Sequence, residues 1–237
     1  MSALPGIVYI FRKEMLSSYI SFWLIFSAFI FGFYALGLWA RTQTGTVEFT
    51  TNSDLIVMIY IFVTGTLTVR PVFYYGLSFG GTRKHIYQSI IIIFALFSLV
   101  TALIHTIYYH GFMRLFATSD VAIQIESIFI MGGLEPSVIG IFLLQCAIFM
   151  LFISLGFLLS LVKYHFGSIG LYIAAALFLT TILVPVFNSY WGDLGRWISQ
   201  ANEIQLTFTT IGAILLVLLI PLTFIKRISS FHGEKSG

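Results

Sequence analysis

Residues 86–113 contain no aspartate, glutamate, lysine or arginine, and neither do 20–40, 136–162, 166–192 or 204–225. About 20 apolar residues in helical form cross the hydrocarbon core of a bilayer, so each run is long enough to span one. A sixth run, 55–75, is interrupted only by Arg70 and Pro71 near its end. The apolar residues are continuous and not alternating, which is the pattern of lipid-exposed helices and not of an outer-membrane barrel. With 59% hydrophobic and 9% charged residues, against roughly a quarter charged in soluble domains, the chain cannot cover a water-facing surface, and a soluble enzyme is excluded. The lone Cys146 cannot form an internal disulfide, and 25 Phe with 12 Tyr are not a linker composition. The expected fold is all-α, a single polytopic transmembrane domain over 1–237. Its six spans are expected at about 20–40, 55–75, 87–110, 137–162, 168–188 and 204–225.

Basic residues fix the orientation, because positively charged loops are retained in the cytoplasm. One set of segments holds Arg12, Lys13, Arg70, Arg83, Lys84, Lys163, Lys226, Arg227 and Lys235; the other holds only Arg41, Arg114 and Arg196. Both termini are therefore expected inside. Seven of the nine acidic residues fall on the outer side, so the net charge of +3 reports topology and not a nucleic-acid footprint. Trp39, Tyr108, Tyr109, Tyr190, Trp191 and Trp197 cluster at the outer ends as interfacial anchors. The first span lacks the small-x-small site of a cleaved signal peptide and reads as a retained helix.

Segments between the spans carry further pattern. Pro5 suits a first helical turn, and Val8, Phe11, Met15 and Tyr19 recur at helical spacing opposite Arg12, Lys13 and Glu14. Residues 1–19 thus read as an interfacial helix on the inner leaflet, or as a charged flank that only sets topology. Between spans two and three, Gly80 and Gly81 permit a tight reversal, Thr82 can cap the next helix, and Arg83 and Lys84 hold the turn at the cytoplasmic surface. Phe79, Ile86 and Tyr87 exceed the apolar content a solvated turn needs, so the turn reads as a docking point or as a positive turn with ordinary anchors. A second inner turn, KYHFGS, carries Lys163, Tyr164 and His165 as a second contact. Residues 114–135 place apolar side chains at roughly helical spacing, which suggests an external amphipathic helix.

Catalytic patterns are missing. No GxxxxGK[ST] loop is present, and the terminal GEKS at 233–236 matches only its end. No serine sits in GxSxG. His105 and His110 have no cysteine or carboxylate at metal-ligand spacing and read as interfacial histidines, so no metal site is expected. Arg70 is ionisable and inside a span, either snorkelling to the headgroups or serving in gating. Small residues four apart, such as Gly156 with Ser160, permit close helix packing.

In its organisation the chain resembles the membrane subunits of bacterial ABC exporters of the six-helix, type-two permease class. The resemblance lies in FRKEMLSSY at 11–19, like the family's connecting helix, in SFGGTRKHIY at 78–87, like its cytoplasmic coupling helix, and in LGFLLSLVKYHFGSIG at 155–170, like its fourth-to-fifth helix junction. It implies a permease without its own ATP site, no cofactor in this chain, and ATP and Mg on a partner ATPase present in two copies. It further implies a second permease chain, identical or related, and a multi-pass location in the bacterial cytoplasmic membrane. Phe79, Gly80, Gly81, Thr82, Arg83, Lys84, Ile86 and Tyr87 would then form the ATPase-coupling turn, with Arg83 and Lys84 its chief polar contacts. Aromatic-rich spans without a charged cavity suit a hydrophobic or amphipathic cargo, such as a membrane-active peptide. Two other readings stand beside it: a small-solute-binding membrane module that recruits a separate energising complex, and a membrane enzyme acting on lipid, disfavoured by the missing acid–base pair.

Overall fold

The structure, a computed structural model, describes residues 4–44, 48–78, 82–116, 122–126, 137–183 and 188–225. Among these are six helices: α1 (Leu4–Thr44), α2 (Ser53–Ser78), α3 (Arg83–Phe116), α4 (Val138–Leu183), α5 (Asn188–Gln200) and α6 (Glu203–Ile225), with two short strands, β1 (Glu48–Asn52) and β2 (Ala122–Glu126). Four stretches are long and apolar enough to cross a membrane: Met15–Ala40, Arg83–Gly111, Val138–Leu177 and Ile204–Pro221. The shorter Ser53–Thr68 is also apolar. This is the architecture of a multi-pass membrane protein.

Helix α1 begins at Leu4, which puts Pro5 in its first turn, where the missing N–H costs nothing. Its 41 residues run as one helix about 60 Å long, so residues 4–19 continue directly into the first apolar run. Within 114–135, where an external amphipathic helix is expected, the described residues Ala122–Glu126 are not helical. Helix α3 extends to Phe116, and Ala122–Glu126 is a strand paired in parallel with β1, from Glu48 opposite Ala122 to Asn52 opposite Glu126. The reason is local: AIQIE alternates apolar and polar at period two and carries β-branched Ile123 and Ile125, which suit a pleated strand. The other residues of that segment, 117–121 and 127–135, lie outside the described residues.

Helices α2, α3 and α4 form the centre of the bundle. Val57 and Ile61 of α2, Ile86, Ile90 and Phe94 of α3, and Leu144, Phe149, Ile153 and Phe157 of α4 are fully enclosed. Equally apolar side chains face outward: Leu55, Ile59, Val63 and Leu67 make an exposed stripe on α2, and Ile92, Leu96, Leu103 and Ile107 make one on α3. Small polar residues share the inner face with the large side chains enclosed there. Thr64, Thr68, Ser98, Thr101 and Ser154 are buried, and four of them return their hydroxyl protons to the carbonyl one turn back: Thr64 to Tyr60 (2.9 Å), Thr68 to Thr64 (2.8 Å), Thr101 to Phe97 (2.7 Å) and Ser154 to Met150 (2.7 Å). Such internal partners are required where no water reaches. Helix α1 joins through its aromatic face, with the Phe22 and Tyr60 rings stacked 4.0 Å apart and Tyr19 Oη donating to Thr101 Oγ1 at 3.2 Å. Helix α6 packs on α4 and receives a hydrogen bond from Tyr87 Oη at the Leu218 carbonyl.

Gly167 breaks α4 with φ 67° and ψ −161°, a region essentially restricted to glycine. In a straight helix residues 162 and 170 would stand about 12 Å apart along the axis. A Cβ on Gly170 would instead lie 3.3 Å from Val162 Cγ1 and 2.5 Å from Phe166 Cβ. The chain therefore turns back sharply at Gly167, inside the expected KYHFGS turn.

Candidate functional site

Ser53 and Asp54 open α2, His105 and Thr106 lie two-thirds along α3, and Gln145 sits in the second turn of α4. All five side chains are buried. Asp54 Oδ1 accepts a hydrogen bond from Gln145 Nε2 at 3.0 Å and stands 3.5 Å from His105 Nδ1. His105 Nε2 is 3.1 Å from Ser53 Oγ, and Thr106 Oγ1 donates to Gln145 Oε1 at 3.0 Å. The Phe149 ring closes on the imidazole edge-on, 5.9 Å between centroids. Three helices are thereby tied together at one end by a single polar network.

His105 is thus not an interfacial histidine. Its carboxylate partner is distant in sequence and adjacent in space. Separating these helices would leave buried polar groups without partners in apolar surroundings, which costs about 1–3 kcal/mol for each group left unsatisfied. The network acts as a lock between helix ends. It offers one imidazole and one carboxylate, and among the described residues no group of three His, Cys, Asp or Glu side chains comes together. His110 stands outside it, edge-on to the Tyr109 ring at 5.2 Å. Spacing along the chain misses this network, but one signal for it is visible in the sequence: Asp54, His105 and Gln145 lie near the same end of three consecutive apolar runs.

The other end of α2 leads into the expected coupling turn. Phe79, Gly80 and Gly81 lie outside the described residues. Thr82 caps α3 as expected, its Oγ1 accepting from His85 N at 3.4 Å and its carbonyl from Ile86 N at 2.9 Å. Lys84 is exposed and Arg83 half-buried. Ile86 and Tyr87, expected to face a partner, turn inward: Ile86 closes on Gly76, where a Cβ would meet its Cδ1 at 2.9 Å, and Tyr87 bonds to α6. A helix that starts at Arg83 has already rotated these positions onto its buried face, so among the described residues of the turn Thr82, Lys84 and His85 are exposed and Arg83 is half-buried. Lys163 and Tyr164 are exposed beside the Gly167 reversal and His165 is half-buried, its ring 4.9 Å from that of Phe166. Arg70 lies on α2, with its side chain outside the described residues.

Compared with protein families, with curated proteins and with solved structures, the chain matches none. The likeness to type-two permeases rests on the expected six-span organisation and the three sequence stretches.

Proposed function

We propose that this chain is the transmembrane permease subunit of a bacterial ABC transporter, exporting a hydrophobic or amphipathic substrate such as a membrane-active peptide. It works as a pair of permease chains in the cytoplasmic membrane, energised by two separate ATPase subunits that hold ATP and Mg. The observation that carries the reading is the start of α3, where Thr82, Lys84 and His85 are exposed at the end of an otherwise apolar bundle. A capped, cationic helix start is suited to transmit force, because it is tied rigidly to the core through Ile86 and Tyr87. In this reading α1, α2, α3, the two parts of α4 and α6 make six spans, with both termini cytoplasmic. The sharp reversal at Gly167 supports counting α4 twice. Exposed apolar faces on α1 and α6 supply surface for lipid and for the second permease chain. Arg70 has a gating role in the same reading only if its charge moves with the transport cycle. Tagged chain expressed with its neighbouring gene products tests the proposal: an ATPase should copurify in detergent.

The small-solute-binding module is the second reading, and the buried Asp54, His105 and Gln145 favour it by supplying polar groups inside the bundle. Those groups are bonded to one another, which suits a lock between helices better than a grip on solute.

A further inference from the structure

Helix α5 is unlike the others. At about 100° per residue, Trp197, Tyr190, Leu194 and Ile198 share an arc of about 100°, while Gly192, Asp193, Arg196 and Gln200 occupy the rest of the circumference. All of these residues are exposed, the four apolar side chains by 41–67%. Asp193 and Arg196 pair with each other one turn apart, so the polar face carries no net charge.

Its attachment fixes where this helix can be. Ala201, the residue after α5, is buried, and Asn202 and Gln205 cap α6 reciprocally: Gln205 N donates to Asn202 Oδ1 at 2.8 Å and Asn202 N to Gln205 Oε1 at 3.2 Å. The membrane-crossing stretch Ile204–Pro221 begins immediately beyond. On the other side only residues 184–187 separate α5 from α4, a reach of at most about 18 Å from Leu183 to Asn188. Held at both ends by apolar helices, α5 cannot leave the boundary between hydrocarbon and water.

We infer that α5 lies in the bilayer interface and binds lipid through Tyr190, Leu194, Trp197 and Ile198, by apolar insertion and without charge selectivity. Aromatic and aliphatic residues on one face, with polar residues on the other, are the composition of an in-plane interfacial helix. The inference needs no ATPase partner and stands apart from the proposed transport function.

Spin labels at single cysteines test it, placed at Leu194, Ile198, Gly192 or Gln200 of full-length Cys146→Ser protein in phosphatidylcholine vesicles. A Cβ at Gly192 meets nothing within 4 Å, so the label has room. Labels at 194 and 198 should be several-fold more accessible to oxygen than to a water-soluble nickel chelate, at depths of about 5–10 Å; those at 192 and 200 should show the reverse. Addition of anionic lipid or salt should change neither. Labels at 194 and 198 that are open to the nickel chelate, closed to both relaxants, or inserted only with anionic lipid would each overturn the inference.

Discussion

Gly65 of α2 and Gly156 of α4 hold the two helices in backbone contact, each lying against the carbonyl of the other chain segment. A Cβ at Gly65 would stand 2.2 Å from the Ile153 carbonyl oxygen, and one at Gly156 would stand 2.1 Å from that of Phe62. No side chain can yield to relieve either clash, so the helices themselves must separate. Gly65→Ala and Gly156→Ala are each expected to destabilise the bundle by about 1–3 kcal/mol, the usual cost of overpacking. Gly212→Ala, where a Cβ meets nothing within 4 Å, should be neutral or slightly stabilising. Unfolding of the three variants in detergent, followed by circular dichroism, checks the contrast.

The polar network should behave as one unit. Asp54→Ala removes the acceptor of Gln145 and the partner of His105, and Gln145→Ala removes the donor to Asp54 together with the acceptor of Thr106. Each single change should lower stability. The double variant should lose less than their sum, with a coupling on the order of 1 kcal/mol. Additive losses in a double-mutant cycle would mean that the side chains are neighbours without sharing a network.

At the start of α3, neighbouring residues should separate into two roles. Tyr87→Phe removes the hydrogen bond to the Leu218 carbonyl and should cost on the order of 1 kcal/mol of stability, with ATPase association unchanged. Arg83→Glu with Lys84→Glu should leave membrane insertion intact, because seven other basic residues hold the inner side, and should abolish ATPase association. Pull-down from membranes with matched expression reads both. Retained association in the charge-reversed variant would remove the coupling role from this turn.

Much of this fold is legible along the chain. The uncharged runs locate the long helices, Thr82 marks the start of α3, and the polar KYHFGS segment marks the reversal that Gly167 makes. What cannot be read is which side of each helix faces inward. In a soluble protein the contrast between apolar and polar faces would decide it, but here Ile59 is exposed and Ile61 buried on the same apolar helix. Part of that information lies in small residues: Gly65 on α2 and Gly156 on α4 make the contact, and Thr64, Thr68 and Ser154 are buried on the same two helices. The four-residue spacing of Gly156 with Ser160 is visible, yet the true counterpart of Gly156, Gly65, lies on another helix. The inward turn of Ile86 and Tyr87 is hidden for the same reason. Asp54 and His105 are not paired by spacing along the chain, which cannot register two residues brought together by antiparallel helices.

The proposed orientation, with both termini cytoplasmic, rests on the asymmetry of the basic residues. In a Cys146→Ser background, a single cysteine replacing Ser236 should resist membrane-impermeant maleimide in intact cells and react after lysis. Labelling from outside would reverse the orientation.

The most direct test of the permease reading is the mass of the detergent-solubilised complex purified through this chain from cells that also express its neighbouring genes. The account predicts an assembly of two permease chains and two ATPase subunits. A transport-competent single chain with no ATPase bound would contradict it.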